Sequence, residues 1–86
     1  MSTSPIEVRP LARTVIVTDD DLTVGLADGR SVTVPLVWFP RLLHASAAAR
    51  TKWELLGDGE GIHWPDADED LGVEGLLAGN RARGAA

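Results

Sequence analysis

The spacing of apolar residues around one acidic turn constrains the fold of this chain more than any other feature. Residues 14–18 (Thr-Val-Ile-Val-Thr) are all β-branched, which favours a strand, and residues 22–26 alternate between apolar and other side chains. A two-residue loop at residues 19–20 places apolar opposite apolar on one face: Val17 with Leu22, and Val15 with Val24. This segment therefore predicts an antiparallel hairpin with one buried face.

A second hairpin joins residues 22–26 to residues 31–34, and its loop length decides which faces meet. A slip of one residue would send one strand's apolar set to the other face. A two-residue Asp28-Gly29 turn would place Val24 opposite Thr33. A three-residue loop with Gly29 in the left-handed region instead pairs Val24 with Val32 and Leu22 with Val34. We therefore predict a three-residue loop at residues 27–29, with a bulge.

A third hairpin is predicted for residues 53–57 and 61–64, around the dipeptide Asp58-Gly59. A two-residue type I′ turn at this dipeptide sets Trp53 opposite Trp64 and Leu55 opposite Ile62. Cross-strand pairs of this kind contribute about 0.2–1 kcal/mol each. Pro65 has no backbone N–H to donate, so we expect the second strand to end before it.

Three short helices are predicted between and after these strands. Pro40 suits the first position of one helix, and Ser46 suits the N-cap of a second at residues 47–52. A third helix is indicated by the i, i+3, i+4 spacing of Val73, Leu76 and Leu77, with Gly72 as its N-cap and Gly79 as its stop.

These elements predict one α+β domain over residues 1–86, with tails at residues 1–5 and 80–86. We expect two layers: an antiparallel sheet of about five short strands, covered by two or three short helices. A weaker alternation at residues 6–11 breaks at Pro10. The apolar sheet face comprises Val15, Val17, Leu22, Val24, Val32, Val34, Trp53, Leu55, Ile62 and Trp64, and the helices cover it with Leu42, Leu43, Leu76 and Leu77.

Composition excludes several classes of site and partner. The 86-residue chain has no cysteine, which excludes disulfides and thiolate zinc sites. Its formal net charge of −5 disfavours a protein that binds the phosphate backbone of nucleic acids. The sequence contains neither an apolar run of about 20 residues, which a membrane span needs, nor a secretory signal. A cytoplasmic location is therefore expected.

The strongest concentration of charge lies at residues 66–74, where five of nine residues are acidic. Asp66, Asp68 and Asp70 have the first three spacings of a calcium loop, but Leu71 and Leu77 stand where the loop needs glycine and glutamate. His63 with Asp66 and Asp68 is an alternative set of ligands for a divalent ion. The simpler interpretation is a solvated acidic turn that precedes the third helix, at the positive end of its dipole.

Two further features are candidates for a surface role. On the predicted register His63 lies on the face opposite the two tryptophans, beside Glu54 and Leu56, without an evident nucleophile nearby. Trp38 and Phe39 are adjacent, so a regular element cannot direct both into the core, and one of them can form an exposed aromatic surface. The alternative is that a bend at Pro40 buries both.

Residues 22–79 resemble the bacterial domain of unknown function 2442. The resemblance rests on motifs spread along the chain, chiefly Ala27-Asp28-Gly29-Arg30, Trp38-Phe39-Pro40-Arg41-Leu42-Leu43-His44-Ala45 and Gly61-Ile62-His63-Trp64-Pro65-Asp66. It implies a small α+β fold without an established enzyme activity. It also implies a partner, because members are frequently encoded beside domain of unknown function 4160, in an arrangement that resembles toxin–antitoxin pairs.

Charge and resemblance together predict a non-catalytic, antitoxin-like module that binds a partner protein and needs no cofactor. The partner-binding candidates are Trp38, Phe39, His63, Asp66, Asp68, Glu69 and Asp70. The first alternative is a metal-dependent enzyme or sensor that uses His63, Asp66 and Asp68. The second is a nucleic-acid-binding adaptor that acts through Arg81 and Arg83.

Overall fold

A computed structural model of the chain describes residues 10–81. In this range there are six strands, three α-helices and one 3₁₀ turn. The strands are β1 (Ala12–Val17), β2 (Asp21–Leu26), β3 (Ser31–Pro35), β4 (Glu54–Leu56), β5 (Gly61–Trp64) and β6 (Glu69–Gly72). The helices are the 3₁₀ turn Leu36–Trp38, then α1 (Pro40–Leu43), α2 (Ala47–Thr51) and α3 (Val73–Leu77). The alternation at residues 6–9, the tail at residues 1–5 and most of the tail at residues 80–86 lie outside the described residues.

The strands form two antiparallel sheets of three strands each, β1-β2-β3 and β4-β5-β6. The α+β class is confirmed, whereas the prediction of a single sheet of about five strands is wrong. The strand that the prediction lacked is β6, which pairs with β5 from Gly61 opposite Gly72 to Trp64 opposite Glu69. Asp68 adopts a positive φ of 51°, a conformation that aspartate tolerates better than most residues, and this turns the chain back into the sheet.

The first sheet has the predicted registers. Apolar residues face one another as Val17–Leu22, Val15–Val24, Val24–Val32 and Leu22–Val34. Gly29 has a φ of 92°, and its N–H donates to the carbonyl of Leu26 at 3.1 Å, as the three-residue loop requires. In the tighter loop between β1 and β2, the Thr18 hydroxyl accepts hydrogen bonds from the backbone N–H groups of Asp20 and Asp21.

The second sheet has the predicted register but a different turn. The predicted pair Leu55–Ile62 is present, whereas Trp53 precedes β4 and lies outside the paired residues, which begin with Glu54 opposite His63. The type I′ turn is wrong, because it needs a positive φ at both Asp58 and Gly59, and the positive values occur at Gly57 (59°) and Gly59 (113°) instead. Residues 57–60 thus form a wider connection than the two-residue turn.

This connection also joins the two sheets. The N–H of Ala12 in β1 donates to the carbonyl of Gly59 at 2.7 Å, and the Arg13 guanidinium donates to the carbonyl of Asp58 at 3.1 Å. A Cβ on Gly59 would lie 2.5 Å from the carbonyl oxygen of Ala12. The close approach of the two sheets therefore depends on glycine at position 59.

One apolar core extends across both sheets and the helices. Its fully buried members with the largest side chains are Trp64, Phe39, Leu22, Leu36, Leu42, Ile62, Val24 and Val73. Leu76 is also buried, and Leu43 packs against the core from its margin. The prediction that Leu77 covers the core is wrong: it is 42% exposed, because five-residue α3 presents only Val73 and Leu76 inward.

The helices begin where the sequence indicates. Pro40 occupies the first turn of α1, and the Ser46 hydroxyl accepts from the backbone N–H of Ala49 as the N-cap of α2. Gly72 precedes α3 as its N-cap, and Gly79 adopts a φ of 79° just after it. With these bounds α1 and α3 lie near β6, and the three elements surround the site described next.

Candidate functional site

The acidic hairpin, defined as residues 65–70, connects β5 to β6 and carries three exposed carboxylates. The side chains of Asp66, Asp68 and Asp70 are 50%, 95% and 68% exposed. Glu69 is half-buried at the start of β6. The hairpin is anchored by Trp64, which is fully buried immediately before it, so its carboxylates lie on a fixed support.

Each carboxylate of the acidic hairpin has a partner at the surface. Asp66 forms an ion pair with Lys52 at 3.3 Å, and Asp68 lies 3.8 Å from the Arg41 guanidinium. Arg41 also donates to the backbone carbonyl of Asp68 at 2.6 Å. Exposed ion pairs contribute about 0–1 kcal/mol, so a partner protein's cations can replace these contacts at small cost.

His63 lies between two acidic side chains on the outer face of the second sheet. It is opposite Glu54 in β4 and opposite Asp70 in β6, and its Nδ1 forms an ion pair with Oδ1 of Asp70 when the imidazole is protonated. The hydrogen bond to Asp70 raises the pKa of His63; partial desolvation opposes this, and the charges of Asp70, Glu54 and Asp68 add to it. The protonated imidazole thus offsets part of the negative charge on this face.

The structure does not bring the predicted metal ligands together. His63 is engaged by Asp70, whereas Asp66 and Asp68 turn to Lys52 and Arg41. Within residues 10–81 no group of three or more His, Asp or Glu side chains is arranged to hold a metal ion. The metal interpretation therefore lacks a set of ligands in the described part of the chain.

A groove of about 610 Å³ lies beside the acidic hairpin. All four residues of β6 form one wall, and residues of α1 and of the α3 region form the rest. Its apolar lining includes Phe39, Leu71 and Leu76, while Glu69 and Asp70 lie on the strand side and Arg41 and Arg81 on the helix side. Because all of β6 lines it, the groove suits an extended ligand.

The two predicted aromatic candidates have different environments. Phe39 is 2% exposed, so it is a core residue and its side chain does not reach the surface. Trp38 is half-buried, and the Arg81 guanidinium lies 4.7 Å from the centre of its ring, within the range of a cation–π interaction. Arg83, the second residue of the nucleic-acid hypothesis, lies outside the described residues.

Three features of this site were not predicted from the sequence. They are the strand β6 itself, the contact of His63 with Asp70, and the contact of Arg41 with the hairpin. Leu71 was the sequence signal for β6: it lies opposite Ile62 and would have extended the apolar alternation of the second sheet. Arg41 gave no such signal, because its contact with residue 68 depends on tertiary packing.

The comparisons with known proteins agree with this fold. A family model described as "Protein of unknown function (DUF2442)" matches residues 12–82. A crystal structure of a protein of unknown function from Rhodospirillum rubrum ATCC 11170 is 30% identical, with a TM-score of 0.73 over 87% of this chain and 93% of that one. The solution NMR structure of an uncharacterized protein from Chromobacterium violaceum is 21% identical, with a TM-score of 0.71 over 86% of this chain and 70% of that one.

No curated protein matches the chain significantly. Among the helices of the described residues, none is long and apolar enough to cross a membrane.

Proposed function

The chain belongs to the DUF2442 family of proteins of unknown function, and we propose that it is a cytoplasmic, non-catalytic, antitoxin-like module that binds a partner protein. The acidic hairpin is the contact surface, and a basic patch on the partner is its complement. The observation that carries the proposal is the exposure of Asp66, Asp68 and Asp70 on a hairpin that directly follows the fully buried Trp64.

Charge supports this function in two ways. The net charge of −5 attracts a basic protein at long range and increases the rate of encounter. At short range the carboxylates of the hairpin exchange weak surface ion pairs for contacts that the interface shields from water. Before the partner binds, Lys52 and Arg41 reduce the repulsion among the carboxylates of the hairpin.

Within residues 10–81, no nucleophile contacts His63. Its Nδ1 binds Asp70, a contact that would also orient a catalytic imidazole, but no serine or threonine hydroxyl of this range donates to the ring. A general base needs such a proton donor or a substrate within hydrogen-bond reach.

By resemblance, the proposed partner is a protein of the domain of unknown function 4160 family.

The test is co-expression with a domain of unknown function 4160 protein from the same genome, followed by co-purification and titration calorimetry. We expect a complex with a dissociation constant in the micromolar range or tighter. The triple variant Asp66→Asn, Asp68→Asn, Asp70→Asn should weaken binding at least tenfold.

The matched control is Asp20→Asn, Asp21→Asn, Asp58→Asn, which removes the same charge away from the acidic hairpin and leaves the Asp19–Arg50 ion pair in place. It should change the dissociation constant less than threefold. If both triple variants weaken binding equally, only net charge matters and the hairpin is not the contact surface. Absence of a complex at micromolar concentrations rejects the proposed function.

A further inference from the structure

The register of β6 determines which of its backbone groups point away from the second sheet. The N–H of Val73 donates to the carbonyl of Glu60 at 2.9 Å, which continues the ladder between β5 and β6. Hydrogen-bonded pairs alternate along antiparallel strands, so residues 69, 71 and 73 bond to β5. The backbone groups of Asp70 and Gly72 consequently point outward, toward the groove.

Within residues 10–81, two of these four outward groups make a local hydrogen bond and two make none. The N–H of Asp70 donates to the Glu69 carboxylate at 3.1 Å, and Gly72 directs its carbonyl into the first turn of α3 as the N-cap. The N–H of Gly72 and the carbonyl of Asp70 make no hydrogen bond to another residue in the range 10–81. Within that range β6 is also an edge strand, because it pairs with β5 alone.

The groove beside this edge determines what kind of segment fits. Side chains of an added strand alternate between the two faces of the sheet. Those beside Leu71 would lie on the core side of the sheet, where the half-buried Leu71 lines the groove. Those beside Asp70 would lie on the outer face, where Asp70 and Glu54 flank His63. The matching segment alternates apolar residues with lysine or arginine.

We propose that β6 receives an extended segment of the partner protein as an added strand, bonded to the Gly72 N–H and the Asp70 carbonyl. The segment has alternating apolar and basic residues. This inference rests on the proposed function, since the segment belongs to the basic partner described above. Main-chain hydrogen bonds then supply affinity and the side-chain alternation supplies specificity.

A second copy of this chain is the less suitable occupant of the same edge. Pairing β6 with β6 would bring Glu69 and Asp70 of each copy close to those of the other, and like charges opposite each other are destabilising. Acidic side chains thus protect the edge from self-association, as charged residues do on natural edge strands. A basic segment meets no such repulsion.

Gly72 allows a selective test of the edge. Its φ of −88° is close to the value that proline requires, and a Cβ there meets no atom within 4 Å. Gly72→Pro removes the outward N–H, whereas Gly72→Ala adds a side-chain carbon and keeps the N–H. Neither change removes a hydrogen bond between β5 and β6.

Both variants are titrated with the same domain of unknown function 4160 protein. We expect Gly72→Ala to bind within twofold of the wild-type chain and Gly72→Pro to bind at least tenfold more weakly. Equal affinity of the two variants overturns the added strand but leaves the proposed function standing. A wild-type chain that forms no complex overturns both.

Hydrogen exchange of the unmodified chain gives a second readout that does not depend on the folding of a variant. On binding, exchange of the Gly72 amide should slow at least tenfold. The neighbouring Val73 amide is the internal reference, because it already donates to Glu60 in the unbound chain. A Gly72 amide whose exchange is unchanged in the complex overturns the proposal.

Discussion

The indole N–H of Trp64 donates to the backbone carbonyl of Arg50 at 3.2 Å, which ties the fully buried tryptophan of β5 to the last turn of α2. The same arginine directs its guanidinium to the carbonyls of Leu42 and Leu43 and to the carboxylate of Asp19. One residue thereby connects both sheets and two helices. The acidic hairpin begins directly after Trp64, so this arrangement also fixes the base of the proposed contact surface.

Trp64→Phe should lower the free energy of unfolding by about 2–3 kcal/mol, since it leaves a cavity and removes the hydrogen bond to Arg50. Trp53→Phe is the matched control, because Trp53 lies immediately before β4 of the same sheet, is only half-buried and has no indole hydrogen bond to another described residue. We expect it to cost about 1 kcal/mol. Urea unfolding followed by circular dichroism measures both, and equal losses would contradict a specific role for the Trp64–Arg50 bond.

Arg50→Lys should destabilise the fold by about 1–2 kcal/mol, because an ammonium group cannot reach all three acceptors with the geometry of a guanidinium. The side chain of Arg50 is 10% exposed, so the acceptors that it leaves are poorly hydrated. Arg30→Lys is the control: Arg30 is exposed, and its ion pair among the described residues is with Asp28, two positions earlier. We expect the control to change the unfolding free energy by less than about 0.5 kcal/mol. A similar cost for both changes would show that Arg50 acts only through its charge.

Gly59→Ala should destabilise the chain by more than about 2 kcal/mol, and Gly29→Ala by about 1 kcal/mol. Both glycines have positive φ, of 113° and 92°, so both substitutions introduce backbone strain. They differ in space: a Cβ at Gly59 collides with the Ala12 carbonyl at 2.5 Å, whereas at Gly29 nothing lies within 4 Å. The difference between the two unfolding free energies therefore measures the contact between the two sheets. No difference would mean that the sheets separate easily at this point.

Registers could be predicted from the sequence because each depends on two local quantities, the loop length and the spacing of apolar residues. Val24 opposite Val32 follows from both. Leu55 opposite Ile62 follows from the apolar spacing, because a two-residue and a four-residue connection centred on Asp58-Gly59 give the same register. β6 could not be predicted in the same way: Glu69, Asp70 and Gly72 all disfavour strands, and the segment becomes one because β5 is beside it. The prediction of a type I′ turn at Asp58 was wrong for a related reason, since the contact of Gly59 with β1 sets the geometry of that turn.

The candidate site was predictable in its charge and unpredictable in its contacts. Acidic composition alone located the hairpin. Its contacts differ, however: Asp66 and Asp68 form ion pairs with basic side chains of the α1–α2 region, and Asp70 contacts His63. The alternation along β6 decides this, because it places Asp70 on the same outer face as His63. Without that strand, the sequence grouped His63 with Asp66 and Asp68 as an alternative set of metal ligands, whereas the structure joins His63 to Asp70.

His63 should make the stability of the chain depend on pH near neutrality. Its pKa is raised above 6.5 in the folded state by the hydrogen bond to Asp70 and by nearby negative charge. A raised pKa means that the folded state binds the proton more tightly than the unfolded state. The stabilisation is therefore fully present below about pH 6.5 and is lost as pH rises through the higher folded-state pKa.

The measurement is an NMR titration of the His63 imidazole in the wild-type chain and in Asp70→Asn. We expect the pKa of His63 to be lower in Asp70→Asn, since the substitution removes the principal interaction that raises it. In urea unfolding at a series of pH values, the wild-type chain should lose stability relative to His63→Gln as the pH rises from 6 to 8. An unchanged His63 pKa in Asp70→Asn would show that the ion pair across β5 and β6 does not form in solution.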